Sequence, residues 1–154
     1  MVKRSPDTLH SLFAGQFYKP NAPSCIYVAR MKRFRQAKKI GMCQLPLRDW
    51  RWGDLEYGTI VMQPKAPRLW AWLAEQRVLR KTEDKGHRWC PPALLQKKWV
   101  GYTELRITPV DDLKLLVNGA LFCLEEMGIH RYVERFFEIP EKDLSLFERW
   151  MKQS

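Results

Sequence analysis

The sequence has no long apolar run, which excludes a membrane-spanning helix of ordinary length. None of its apolar stretches approaches the ~20 residues that such a helix needs. The N-terminus, MVKRSPDTLH, carries charges but no apolar segment follows it, so a secretory signal peptide is not expected. We therefore expect a soluble, cytoplasmic protein with no membrane partner.

Metal-binding and nucleophilic motifs are also scarce. The three histidines are dispersed, and His87-x-x-Cys90 is the one pair with the spacing of metal ligands. Such a half-site is weak evidence for zinc, because two more ligands would have to come from other cysteines. A P-loop, a dinucleotide fingerprint and a serine nucleophile elbow are all absent. The four cysteines include no CxxC pair, which predicts reduced and mostly buried thiols at Cys25, Cys43, Cys90 and Cys123.

Negative charge is in short supply. The chain has 17 acidic residues against 27 lysines and arginines, a formal net charge of +10. Such an excess favours a polyanionic partner, with nucleic acid first and an anionic membrane surface second. The 154 residues are 45% hydrophobic and include seven tryptophans, enough for one domain with a real core.

The segment 24–48 contains the clearest local pattern. Alternating apolar residues predict two short strands, 25–29 and 39–43, joined by a basic hairpin. Gly41 lies inside the second strand, which indicates that another group approaches its backbone closely. The hairpin surrounds Phe34 with six positive charges. Such a loop suits nucleic-acid binding, in which the cations contact phosphates and the aromatic ring stacks on a base. The alternative is an ordinary solvated hairpin tip. The predicted DNA-binding residues are Arg30, Lys32, Arg33, Arg35 and Lys38, together with Arg51 further along.

The remaining sequence predicts a mixture of helices, strands and loops. A short helix over 45–53 and a third strand over 55–62 precede a helix over 67–80, where Glu75 lies at the border of the apolar face. Residues 81–98 read as a loop and 101–108 as a short strand. Thr108 and Pro109 predict a helix start, with the helix ending at Gly128. Residues 129–139 are either strand or helix, and Pro140 opens a C-terminal amphipathic helix. We expect an arm (1–22), a main domain (23–128) and a helical extension (129–154).

Three residues, far apart along the chain, have the chemistry that phosphodiester hydrolysis needs. Arg48 offers a planar cation for phosphate, and Glu75 offers a carboxylate for Mg²⁺. Tyr27 offers a base or an orienting group, with Lys39 as the cation that would assist it. Each also has an ordinary structural interpretation. In that interpretation Tyr27 is a strand aromatic, Arg48 is a surface arginine and Glu75 is a solvated acid on a helix.

The order and spacing of these residues resemble the GIY-YIG nuclease superfamily, and its phage-type branch in particular. Cys-Ile-Tyr at 25–27 stands for the first motif and Lys-Ile-Gly at 39–41 for the second. Arg48 and Glu75 follow in the family's order, and Gly-Tyr-Thr-Glu-Leu at 101–105 resembles the segment that closes the phage-type domain. Cys25 replaces a glycine of the family pattern, and Lys39 replaces a tyrosine.

The resemblance implies an α+β fold, a small three-stranded antiparallel sheet flanked by helices, with extra C-terminal helices. It implies Mg²⁺- or Mn²⁺-dependent cleavage of double-stranded DNA by Tyr27, Lys39, Arg48 and Glu75, with Glu75 as the metal ligand. The expected setting is a free-standing phage or mobile-element homing endonuclease in a bacterial or phage-infected cell. The alternative is a catalytically inactive DNA-binding or protein-interaction module, and the aromatic C-terminal region suggests a homodimer contact.

Overall fold

The computed structural model describes residues 22–44, 66–96 and 102–137, together with positions 141, 145, 148 and 149. Within these ranges the strands are β1 (Pro23–Arg30), β2 (Lys38–Gln44), β3 (Ala66–Pro67) and β4 (Leu105–Arg106). The helices are α1 (Arg68–Asp84), α2 (Pro92–Gln96), α3 (Val110–Met127) and α4 (Ile129–Phe136), and a 3₁₀ turn, Tyr102–Glu104, precedes β4.

The strands form one antiparallel sheet in the order β3-β1-β2-β4. β1 and β2 pair along their length, from Ser24 opposite Gln44 to Arg30 opposite Lys38. The edge strands β3 and β4 contribute two residue pairs each. With them the described sheet has four strands, where the family resemblance implies three. The predicted fold class, α+β with a small antiparallel sheet and flanking helices, is confirmed, as are both strands of the predicted hairpin.

The two faces of the β1–β2 pair bury different side chains, because successive residues of a strand point to opposite faces. Ile26, Val28 and Ile40 join α1, α3 and α4 in the larger apolar cluster. The opposite face belongs to a smaller cluster that contains Tyr27 and Leu105. The hairpin therefore separates a helix-covered core from a second, smaller one.

Helix α1 buries the predicted face but extends beyond its predicted end. Leu69, Trp72 and Leu73 are buried as expected, while the helix continues to Asp84. The buried Thr82 hydroxyl donates within the helix to the carbonyls of Val78 and Leu79. The predicted loop over 81–98 is therefore wrong at its start, and also at 92–96, where a short helix begins at a proline that the first helical turn tolerates.

The start of α3 differs from the prediction in one contact. Pro109 occupies the N-cap position, so the predicted cap at Thr108 is wrong. The Thr108 hydroxyl instead lies 2.9 Å from Nδ1 of His87, a contact between distant parts of the chain. Gly128 ends α3 at a φ of 80°, as the sequence predicts, and α4 resolves the following segment as helix.

Some predicted elements lie outside the described residues. They are the arm up to residue 21, the short helix over 45–53, the strand over 55–62 and most of the C-terminal helix. Among the described helices, none has the length and apolar character needed to cross a membrane.

Candidate active site

Tyr27 and Gly41 lie directly opposite each other on β1 and β2. The phenol ring packs so closely over the glycine that a Cβ added to Gly41 would stand 2.5 Å from Cζ and 2.5 Å from the hydroxyl oxygen of Tyr27. The close approach that the sequence predicts at Gly41 is therefore made by the tyrosine itself. Only 4% of Tyr27 is exposed, because its ring is buried within the smaller cluster.

Lys39 places a cation beside this ring. Its Nζ lies 5.8 Å from the centroid of the Tyr27 ring and forms an ion pair with Oε2 of Glu104, on the turn before β4. The lysine and glutamate side chains are only 13% and 18% exposed, so solvent screens the pair weakly. Phenol, ammonium and carboxylate thus meet on one face of the sheet.

Burial reinforces the protonated state of Tyr27. It raises the pKa of the phenol above 10.0, and this effect outweighs the opposing effect of Lys39. Negative charge on Glu104 and Glu75 raises the pKa further. At neutral pH the phenol is therefore protonated and can donate a hydrogen bond. Of the two roles that the sequence leaves open for Tyr27, this favours the orienting group over the base.

Lys39 shifts in the direction that preserves its charge. Burial by itself lowers the pKa of the ammonium, but Tyr27, Glu104 and Glu75 together raise it above 10.5. Glu75 therefore acts electrostatically on both Tyr27 and Lys39, although it belongs to α1. We give the name Tyr27 group to this set of electrostatically interacting residues: Tyr27, Lys39, Glu75 and Glu104.

Glu75 is a buried carboxylate, with 3% of the residue exposed. Its Oε1 accepts a hydrogen bond of 3.0 Å from Nε2 of Gln76. Across the described ranges no group of three or more His, Cys, Asp or Glu side chains is arranged to hold a metal ion. Mg²⁺ nevertheless fits one protein carboxylate, because it keeps several waters and takes further oxygens from substrate phosphates. The assignment of Glu75 as the metal ligand therefore stays a prediction.

Glu104 belongs to the Tyr27 group, although the sequence does not predict it as a site residue. The partner of Glu104 follows from the sheet pairing, because Lys39 lies opposite Leu105 and the glutamate directly precedes Leu105. The sequence signal for this ion pair is a lysine in one strand, β2, and a glutamate directly before the strand that pairs with it, β4.

Arg106 fixes the turn that carries Glu104. This fully buried guanidinium donates hydrogen bonds to Oγ1 of Thr82 at 2.8 Å, to the carbonyl of Leu79 at 3.1 Å and to two carbonyls of its own segment. Burial lowers the pKa of Arg106 to about 10, against the opposing charge of Glu83. The arginine thereby ties β4 to α1.

The predicted DNA-binding residues divide into two groups. Lys32, Arg33 and Arg35 are exposed on the hairpin, where a phosphate backbone could reach them. Phe34 is partly buried and packs against the smaller cluster, and base stacking by its ring stays a prediction. Arg30 is half-buried and lines an open cavity of about 540 Å³ whose other lining residues are Arg35, Gln36, Lys38, Pro109, Val110 and Asp111.

Lys38 is less suited to DNA than its sequence position indicates. Its Nζ donates to the carbonyls of Gln36 at 2.8 Å and Ile107 at 2.9 Å, and the residue is 8% exposed. Burial, and secondarily Arg30, lowers its pKa. These contacts hold the hairpin to the segment before α3, which argues against the predicted phosphate contact for Lys38.

Arg48 and Arg51 lie outside the described residues. Of the four predicted catalytic residues, the structure therefore places Tyr27, Lys39 and Glu75, and it brings these three into one electrostatic group. The His87-x-x-Cys90 pair gathers no further metal ligand in the described part of the chain, and His87 contacts Thr108 instead.

Searches of protein-family models, curated proteins and solved structures found no match to this chain.

Proposed function

We propose that this protein is a Mg²⁺-dependent DNA endonuclease of the GIY-YIG type. The observation that carries the proposal is the Tyr27 group, in which β1, β2, α1 and the turn before β4 contribute a phenol, an ammonium and two carboxylates. These groups have the chemistry that hydrolysis of a phosphodiester requires, and their order along the chain is that of the nuclease motifs.

Each residue has a distinct role in this proposal. Lys39 supplies positive charge where the phosphate becomes more negative, and Arg48 is assigned the same task by the resemblance. Tyr27, protonated at neutral pH, donates a hydrogen bond that orients the attacking water or a phosphate oxygen. Glu75 would hold the metal ion, which would supply positive charge to the leaving oxygen. Glu104 acts through Lys39, as a positioning residue.

The basic hairpin supports DNA as the substrate. Lys32, Arg33 and Arg35 are exposed on one short segment that leads directly into β2 and its Lys39. Contacts from this segment would guide the phosphate backbone towards the Tyr27 group. Arg30 would extend the same positive surface to the open cavity beside the start of α3, where Asp111 supplies an opposing negative charge.

The cellular setting follows from the same proposal. The protein would then be a cytoplasmic endonuclease of phage or mobile-element origin, acting in a bacterial or phage-infected cell. A homodimer contact through the aromatic C-terminal region is part of the proposal. The part of this region that the structure describes includes Phe136, which is half-buried between Tyr132 and Arg77.

A second candidate function is a DNA-binding module that retains the fold without cleavage. Two observations favour it: the phenol of Tyr27 has a raised pKa, and the ammonium of Lys39 is already engaged by Glu104. In this alternative the Tyr27 group stabilises the β1–β2 pair, and the hairpin alone binds DNA.

One experiment separates the two candidates. Wild-type protein is incubated with supercoiled plasmid in Mg²⁺, in Mn²⁺ and in chelator, and binding is followed in parallel by gel shift at low salt. The nuclease proposal predicts nicked or linear DNA with either cation and none in chelator. Binding without cleavage in both cations would instead establish the module.

A further inference from the structure

Cys25 and Cys43 are paired across the two central strands. They are Cα partners in the antiparallel register, and their sulfur atoms lie 3.4 Å apart. We infer that these two cysteines are a redox-active dithiol, which small peroxides convert to a cross-strand disulfide. This inference does not depend on nuclease activity.

The backbone already has the geometry that a disulfide requires. Directly opposed residues of antiparallel strands have Cα atoms ~4.5–5.5 Å apart, depending on the type of pair. Disulfides span Cα separations of ~4.4–6.8 Å. Bond formation between Cys25 and Cys43 must bring their sulfur atoms from 3.4 Å to ~2.05 Å apart, and the register of β1 and β2 keeps the two residues opposite each other for this approach.

The fold also selects this pair over the other cysteines. Cys123 lies on α3 and packs against the larger cluster, on the other face of the sheet. Cys90 packs against the same smaller cluster as the pair, but its Sγ lies 3.5 Å from the carbonyl oxygen of Pro91. Once one sulfur of the pair is oxidised, its nearest reaction partner is the other member.

The reaction balances with a peroxide as the oxidant. One thiolate attacks a peroxide oxygen, which gives a sulfenic acid and releases one water after proton transfer. The second sulfur then attacks the sulfenic sulfur, forms the S–S bond and releases a second water. The two sulfurs lose two electrons, and hydrogen peroxide is reduced to two water molecules. Because both residues are buried, a molecule as small as peroxide is the suitable oxidant.

The product would join the strands next to the candidate site. Cys25 precedes Tyr27 by two positions and Cys43 follows Gly41 by two, on the same face of the sheet. The disulfide would close the loop that contains the whole basic hairpin. We expect it to raise the melting temperature by several degrees, because it restricts the unfolded chain.

The test uses the full chain with Cys90→Ser and Cys123→Ser, which retains only the opposed pair. Hydrogen peroxide is added to the folded protein, and the intact mass and the non-reducing peptide map are recorded. The expected result is a loss of two hydrogen atoms and one linked peptide pair containing Cys25 and Cys43, reversed by dithiothreitol. The wild-type protein should give the same linkage without Cys90 or Cys123.

Two controls make the outcome decisive. The Cys25→Ser/Cys43→Ser variant should form no intramolecular disulfide under the same conditions. Wild-type protein oxidised in denaturant should give mixed linkages, since selectivity comes from the fold. Oxidation of folded wild type to sulfinic or sulfonic acids, or to linkages that involve Cys90 or Cys123 equally, would overturn the inference.

Discussion

The Tyr27 ring occupies the space above Gly41 that a side chain would otherwise fill. An added Cβ would stand 2.5 Å from the ring, closer than real contacts permit. This pair explains why a β-strand retains a residue that weakens strands elsewhere. It also fixes the position of the phenol beside Lys39, so the register of β1 and β2 determines the geometry of the candidate site.

Gly41→Ala should therefore destabilise the protein, by about 1–3 kcal/mol, because the ring and strand must shift to admit the methyl group. The matched control is Gly119→Ala on α3, where nothing lies within 4 Å of the added Cβ. Removing a glycine from a helix interior should raise the unfolding free energy by about 0.5–1 kcal/mol. Urea denaturation measures both changes.

A double-mutant comparison isolates the contact. In a Tyr27→Ala background the ring is gone, so Gly41→Ala should cost much less than in the wild type. An equal cost in both backgrounds would show that the glycine is needed for a reason other than the tyrosine.

Alkaline pH should weaken the fold through Tyr27 and Lys39. Folding raises the pKa of both groups above their ordinary values of 10.0 and 10.5, so the folded state binds these protons more tightly. Their stabilisation is complete below pH 10.0 and is lost as the pH rises through the raised values. Tyr27→Phe should lose less stability between neutral and strongly alkaline pH than the wild type does.

The measurement is best made in a Tyr132→Phe background. Burial also raises the pKa of Tyr132, so this substitution removes a second tyrosine that contributes to the same alkaline loss. Denaturant unfolding followed across the alkaline range gives the slope of stability against pH. Identical slopes with and without the Tyr27 hydroxyl would contradict the assigned shift.

Arg106→Met should destabilise the protein by about 2–4 kcal/mol, since it removes four hydrogen bonds that the buried guanidinium donates to α1, to the turn before β4 and to β4. Arg88→Met is the control. Arg88 is exposed and forms a 3.3 Å ion pair with Glu83, so its loss should cost less than about 1 kcal/mol. Comparable losses for the two variants, measured by chemical denaturation, would refute the clamping role of Arg106.

Neutralising the hairpin should weaken DNA binding in a salt-dependent way. With Lys32, Arg33 and Arg35 changed to Gln, each lost phosphate contact should lower the slope of log affinity against log salt by about 0.9. The control changes Lys81, Lys85 and Arg131 to Gln, which removes equal charge from exposed positions on other elements. Fluorescence anisotropy over a salt series distinguishes them; equal slopes would mean that only net charge matters.

Local patterns were sufficient for much of the fold. Alternation predicted β1 and β2, the apolar spacing predicted α1, and the glycine in β2 predicted a close approach that Tyr27 makes. These features depend on neighbours in sequence or on the opposite strand of one hairpin, which is why the sequence reveals them.

Contacts between distant segments were the harder part. Thr108 looks like a helix cap by its sequence, yet its hydroxyl contacts His87. Lys38 looks like a surface cation, yet two carbonyls bind its ammonium, one of them from the segment before α3. Glu104 became part of the Tyr27 group only through the pairing of β2 with β4. In each case the partner is chosen by tertiary packing, which composition and spacing do not encode.

The most direct measurement is the rate of single-turnover nicking of supercoiled DNA in Mg²⁺ by wild type and by Glu75→Gln. Glu83→Gln, on the same helix, is the control, and thermal melting confirms that all three proteins are folded. The account predicts that loss of the Glu75 charge slows nicking at least about 100-fold, while the control stays within a few-fold of the wild type. Undiminished Mg²⁺-dependent nicking by Glu75→Gln would contradict it.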